Sequence, residues 1–170
     1  MDAGGQMNLF AVPQKNEFLG IAVCFGEEDI YFFKAGEDLA NDVLLELLTQ
    51  SKASVYMTLD LKPQIKFLHM LEKKQNGTIS QENIFDNVIA AYLLNPLKND
   101  YPYEDIAKDY GSLLIQSRTD LLGKLSYEKA LEEKTDEFLK VVCFMAYTAY
   151  VTKKPMAEEL CAAGMEELFK

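Results

Sequence analysis

The sequence is poor in residues that bind phosphate groups. Arg118 is the single arginine among 170 residues, and 27 acidic residues outnumber 17 lysine and arginine residues, which gives a net charge of −10. A dedicated nucleic-acid-binding module usually has the opposite sign, because neutralisation of phosphates supplies most of its non-specific affinity. We therefore expect weak DNA binding, or none, by this chain alone.

Zinc ligands, disulfide pairs and membrane spans are scarce as well. The cysteines Cys24, Cys143 and Cys161 are isolated and His69 is the single histidine, so we predict neither a zinc site nor a disulfide framework. No apolar run reaches the roughly 18 residues that a membrane helix needs, and the first residues lack the pattern of a signal peptide. Free thiols are typical of a reducing compartment, so we expect a cytoplasmic location and no membrane contact.

The chain has the size of one domain that buries a substantial core. Hydrophobic residues make up 49% and charged residues 26%, which are ordinary values for a globular protein. No repeat, low-complexity tract or linker-like segment divides the sequence. We predict a single domain over residues 1–170.

The first half of the sequence predicts mainly strands, and the second half predicts helices. Strands are expected at residues 7–12, 18–25, 30–33, 54–58 and 84–85, the second and third forming an antiparallel hairpin. Helices are expected at residues 38–48, from Asp60 onward, and at 86–94, 103–110, 113–122, 127–153 and, after a break at Pro155, 156–169. This order predicts an α/β fold in which helices cover a mixed β-sheet.

Residues 85–96 read FDNVIAAYLLNP, and residues 164–169 read GMEELF. These runs, in their order and spacing, resemble the 3′–5′ exonuclease (proofreading) domain of bacterial DNA polymerase I, family A. The resemblance covers most of the chain and implies an RNase H-like fold that removes a 3′-terminal nucleotide with two divalent metal ions. It also implies that the chain is a fragment of a larger DNA polymerase that continues past residue 170.

The resemblance places the metal ligands of the family in three segments. They are a D-x-E pair on the first strand, an Asp that opens a helix after the middle strand, and a Y-x-x-x-D motif on a late helix. Two metal ions about 3.5–4 Å apart stabilise the attacking and leaving oxygens, and Mg²⁺ requires several carboxylate oxygens. Here residues 7–13 contain no acid, Val141 and Met145 take the places of the late Tyr and Asp, and residues 140–152 contain no acid.

Asp60 is the remaining acid at one of these three places. Its alternative role is a helix N-cap, in which the carboxylate accepts hydrogen bonds from free backbone N–H groups. Asp86 lies in the FD motif but is not a metal ligand of the family, so we predict that it caps the following helix. We expect the space between the first strand, Asp60 and the 141–145 segment to be apolar, filled and without metal.

Several tyrosines could stack on nucleobases, but no arginine is interleaved with them. We predict that Tyr92 belongs to the core of its helix, and that Tyr101, Tyr103 and Tyr110 pack as ordinary aromatic side chains.

The sequence therefore predicts a catalytically inactive exonuclease-like domain with no cofactor, covalently linked to a polymerase domain that makes the DNA contacts. One alternative is a residual exonuclease with Mg²⁺ or Mn²⁺ at Asp60, in which Glu17 or Asp2 replaces the first-strand acids. Another alternative is a stand-alone acidic interaction domain.

Overall fold

A computed structural model describes residues 7–13, 18–35, 56–62, 64–65, 69 and 84–169, with the backbone alone described for residues 7–13, 18, 56 and 57. The predicted helix at residues 38–48, together with Asp2 and Glu17, lies outside the described residues. The statements below refer to the described part of the chain.

A mixed β-sheet forms the first layer of the fold, as the sequence predicts. Its five strands are ordered β3-β2-β1-β4-β5. The pairs β1–β2 and β2–β3 are antiparallel, whereas β1–β4 and β4–β5 are parallel. The strands are β1 (Met7–Pro13), β2 (Phe18–Cys24), β3 (Ile30–Lys34), β4 (Tyr56–Thr58) and β5 (Ile84–Asp86).

Six helices follow the sheet in the described C-terminal half. They are α1 (Asn87–Leu94), α2 (Tyr103–Gly111), α3 (Arg118–Leu122), α4 (Tyr127–Glu133), α5 (Thr135–Ala162) and α6 (Glu166–Phe169). Helix α5 packs against β1, β2, β3 and β4, and also contacts each of the other five helices. The core thus lies between one face of the sheet and a single long helix.

Three of the predicted helix boundaries are wrong. The helix expected over residues 113–122 is limited to α3, because Ser117 and Asp120 form a capping box that starts the helix there. The helix expected over residues 127–153 is divided in two at Lys134, whose backbone is not helical, with φ of −142° and ψ of 56°.

The third error concerns Pro155, which does not end its helix. A proline inside a helix removes one backbone hydrogen bond and costs roughly 3 kcal/mol. Beyond it, Met156 and Leu160 are almost completely buried in the core, and their packing holds the last turns of α5 in place. The helix ends at Ala162, and Gly164, with φ of +68°, precedes the short helix α6.

Candidate functional site

The three segments that would hold the family's metal ligands lie close together in the fold. Strands β1 and β4 are parallel neighbours, and α5 packs against both of them. Asp60 follows the end of β4, and Asp86 ends the next strand, β5, whose register places it beside Thr58. Because parallel strands end at the same edge of a sheet, the two aspartates are brought together there.

Asp60 makes short-range contacts at the start of the following segment. Its Oδ1 accepts a hydrogen bond from the backbone N–H of Lys62 at 3.2 Å, and its carbonyl accepts one from Gln64 Nε2 at 2.7 Å. Gln64 is buried and also donates to Thr58 Oγ1 at 2.8 Å. These contacts agree with the capping role, although the carboxylate of Asp60 is partly exposed.

Asp86 is a buried carboxylate whose oxygens are fully engaged by the backbone. Its Oδ1 accepts hydrogen bonds from Val88 N and Ile89 N at 2.8 and 3.0 Å, which confirms the predicted helix cap. Its Oδ2 accepts from Leu61 N at 2.7 Å, a contact across 25 residues that the sequence does not reveal. Burial raises the pKa of Asp86, the N–H groups partly oppose this shift, and the nearby charge of Asp60 adds to it.

The late helix presents apolar side chains where the family places its last acid. Val141 and Val142 are completely buried in α5, and Ala146 is 1% exposed. Met145 is half-buried, and the Tyr127 hydroxyl lies 3.9 Å from its sulfur. The expected filling of the space toward β1 remains a prediction, because the side chains of β1 lie outside the described residues.

These donors do not fit two divalent metal ions. The carboxylate of Asp86 already accepts three backbone hydrogen bonds, and Asp60 is the single acid left at a position of the family's metal ligands. Within the described ranges, no group of three or more His, Cys, Asp or Glu side chains could hold a metal ion. Hard cations need several such oxygens, and the acids of the described residues at this edge of the sheet supply fewer than two metal ions need.

The tyrosines differ in their surroundings. Tyr103 is buried and donates to the Gln116 carbonyl at 2.7 Å, and burial raises its pKa. Tyr101 donates to the Asn95 carbonyl at 2.5 Å, and Tyr110 packs against the core as predicted. The prediction for Tyr92 is wrong, because this residue is 53% exposed; its ring lies perpendicular to that of Tyr101, with the centroids 6.2 Å apart.

A buried polar network between α1 and α5 was not predicted. Asn87 Nδ2 donates to Thr152 Oγ1 at 2.7 Å, and Thr152 Oγ1 donates to the Thr148 carbonyl at 2.8 Å. All three residues are completely buried, and among the described residues no hydrogen-bond partner reaches Asn87 Oδ1 or Thr148 Oγ1. The spacing of two threonines four residues apart in an apolar helix is the one sequence signal for this network.

No helix in the described part of the chain is long and apolar enough to span a membrane.

Comparison with solved structures shows the fold. A structure described as the apo form of the nuclease has a TM-score of 0.73 at 14% identity, covering 97% of this chain and 77% of that one. NrnC from Brucella melitensis has a TM-score of 0.72 at 12% identity, covering 97% of this chain and 78% of that one. The structure of Brucella melitensis NrnC bound to pGG has a TM-score of 0.71 at 14% identity, with the same coverage of both chains. These similarities agree with the predicted RNase H-like α/β fold.

Sequence comparison with curated proteins gives no match. The family model of the DNA polymerase I, ribonuclease H-like domain matches residues 11–147. This range includes β2 to β5, the FDNVIAAYLLNP run and the first half of α5. The chain belongs to the family of the ribonuclease H-like exonuclease domain of DNA polymerase I.

Proposed function

We propose that this chain is a catalytically inactive exonuclease-like domain that acts as a structural module of a bacterial family A DNA polymerase in replication and repair. The observation that carries the proposal is the apolar character of α5 where the family places its last motif: Val141, at the tyrosine position, is completely buried, and Met145, at the aspartate position, is half-buried. An apolar, closely packed segment stabilises the fold but offers no oxygen to a cation.

The contacts of Asp86 support the same proposal. Its carboxylate joins Leu61, three residues after β4, to the first turn of α1. This hydrogen bonding ties the segment after β4 to the start of α1 at the edge of the sheet. The acid therefore has a structural role that is independent of catalysis.

The proposed role of the domain is to brace and orient a covalently linked polymerase domain. Contacts with DNA would come through that domain, because the chain itself carries a net charge of −10. The proposed location is the cytoplasm. The solved nuclease with the same fold shows that such a scaffold can carry nuclease chemistry. We thus propose that this chain differs from an active nuclease of the same fold by the loss of its metal ligands.

Calorimetric titration with Mn²⁺, run beside digestion of a 3′-labelled single strand, tests the proposal. We expect no saturable binding heat below about 1 mM and no shortening of the strand, whereas an active proofreading domain of the same family, as a control, gives both. Saturable binding with stepwise shortening, both lost in Asp60→Ala, would overturn the proposal and establish a residual exonuclease. The Asp60→Ala variant must retain the wild-type melting temperature for this comparison.

A further inference from the structure

Three aromatic rings form a continuous row on the face of the sheet opposite α5. The row consists of Phe25, which follows β2, and Tyr31 and Phe33 on β3. The ring centroids of Phe25 and Tyr31 are 6.5 Å apart, and those of Tyr31 and Phe33 are 6.4 Å apart. Phe32 points the other way and packs edge-on against Phe138 of α5, with the centroids 5.4 Å apart.

The exposure of this aromatic row is unusual for its face of the sheet. Ile21 and Val23 lie on the same face, paired with Phe33 and Tyr31, and both are buried. Phe25 and Tyr31 are 49% and 50% exposed. Single exposed apolar residues are common, whereas adjoining exposed aromatic rings mark surfaces that contact a partner.

An acidic turn borders the aromatic row. Glu27, Glu28 and Asp29 connect β2 to β3, and all three are exposed. The Tyr31 hydroxyl donates to Asp29 Oδ1 at 3.4 Å, so this acid lies directly beside the ring of Tyr31. The basic residues nearest in sequence are Lys15 and Lys34, and the stretch from Phe18 to Phe33 holds these three acids and no basic residue.

We propose that the aromatic row and the acidic turn bind a basic segment of a partner protein, whose arginine or lysine side chains lie over the rings. Cations are attracted to the faces of Tyr and Phe rings, Asp29 offers an ion pair beside Tyr31, and Glu27 and Glu28 add negative charge to the same turn. Nucleic acid is disfavoured because its phosphates would meet these carboxylates. A second copy is disfavoured because two chains of net charge −10 repel each other.

Fluorescence anisotropy with labelled hexa-arginine as the probe tests this proposal at about 150 mM salt, where distant charges are screened. We expect saturable binding that weakens about fivefold or more in Phe25→Ala/Tyr31→Ala, because two ring contacts are lost. Tyr31→Leu keeps an apolar side chain without the aromatic ring, and we expect this variant to weaken binding as well. The matched control is Tyr92→Ala, since Tyr92 is 53% exposed but lies on α1; its affinity should equal that of the wild type.

Two results would overturn the proposal. Equal affinity of the wild type, the double variant and Tyr92→Ala would show that net charge alone attracts the peptide. Saturable binding of a twelve-residue oligothymidylate that is lost in Tyr31→Leu would show that the rings serve a nucleic acid. Neither result depends on the metal titration, so this surface and the proposed function can fail separately.

Discussion

At the scale of single residues, Asp86 joins three backbone positions through one carboxylate. Its oxygens accept from Leu61 N, Val88 N and Ile89 N at 2.7–3.0 Å, and the residue is 4% exposed. Asp86→Asn would keep one accepting oxygen but turn an amide N–H₂ group toward either the helix or Leu61 N. A buried donor facing a donor costs about 1–3 kcal/mol of unfolding free energy.

Urea unfolding of Asp86→Asn checks this expectation, with Asp60→Asn as the matched control. Asp60 is partly exposed and its carboxylate accepts from Lys62 N at 3.2 Å, so we expect its variant to stay within about 0.5 kcal/mol of the wild type. Equal losses in the two variants would contradict the role assigned to Asp86.

Asp86 also predicts a pH dependence of stability. Burial raises its pKa above the ordinary value of 3.8, so the folded protein keeps the proton at a pH where the unfolded chain has lost it. The contribution of this group to the unfolding free energy therefore decreases as the pH rises from 3.8 through the raised value. Across this range we expect the wild type to lose stability relative to Asp86→Asn in parallel urea titrations. If the wild type instead gained stability relative to Asp86→Asn as the pH rises, the backbone N–H groups would outweigh burial in setting the pKa of Asp86.

Thr148 and Thr152 provide a matched pair in one buried helix. Thr152 Oγ1 accepts from Asn87 and donates to the Thr148 carbonyl, whereas no partner within the described ranges reaches Thr148 Oγ1. Valine keeps the shape and the branched Cβ of threonine. We expect Thr148→Val to raise unfolding free energy by about 1 kcal/mol and Thr152→Val to lower it by about 1–3 kcal/mol. Thermal melts check both, and loss of stability in Thr148→Val would contradict the assignment.

At the scale of elements, Arg118 organises the connection between α3 and α4. Its guanidinium donates to the carbonyls of Gly123 and Leu125 at 3.4 and 2.5 Å, and lies 4.9 Å from the centre of the Tyr127 ring. The single arginine of the chain is thus committed to a loop and not to a phosphate.

Arg118→Lys should lower the unfolding free energy by about 1–2 kcal/mol, because an ammonium group cannot replace the planar fork that reaches two carbonyls and stacks on a ring. Lys124→Ala is the control, since Lys124 is exposed in the same connection and its change should stay within about 0.5 kcal/mol. Equal unfolding midpoints for Arg118→Lys and the wild type in urea would contradict this role.

Local sequence signals correctly predicted the elements that depend on neighbouring residues. They failed where packing between residues distant in the sequence determines the structure. The hairpin follows from β-branched and aromatic runs on either side of an acidic turn, and α1 follows from its Asp86 cap and the Asn95-Pro96 stop. Pro155 is tolerated because Met156 and Leu160 are buried by residues far away in the sequence. The link from Asp86 to Leu61 was missed for the same reason, as strand register and not sequence distance brings them together.

At the scale of the whole molecule, charge governs what the domain can bind on its own. The net charge is −10, and two of the 17 cationic residues are committed to contacts within the domain: Arg118 holds a loop, and Lys98 pairs with Asp105 and Asp109 at 3.3 and 2.7 Å. Lys153 and Lys154 remain as an adjacent pair on α5, with Lys154 weakly paired to Glu158 at 4.0 Å. Among the described residues it is the one place where two lysines are adjacent in the sequence.

We expect the isolated domain to show no saturable binding to a labelled twelve-residue oligothymidylate at 200 mM salt. Each phosphate contact to a single strand adds about 0.7 to the magnitude of the slope of log affinity against log salt, so contacts with these two lysines alone would give a slope of roughly 1.4 in magnitude. Any binding at 50 mM salt should therefore be weak and should disappear in Lys153→Glu/Lys154→Glu. A steeper slope, or binding that survives this double variant, would show a phosphate-binding surface elsewhere on the chain and would contradict a role limited to bracing a DNA-binding partner domain.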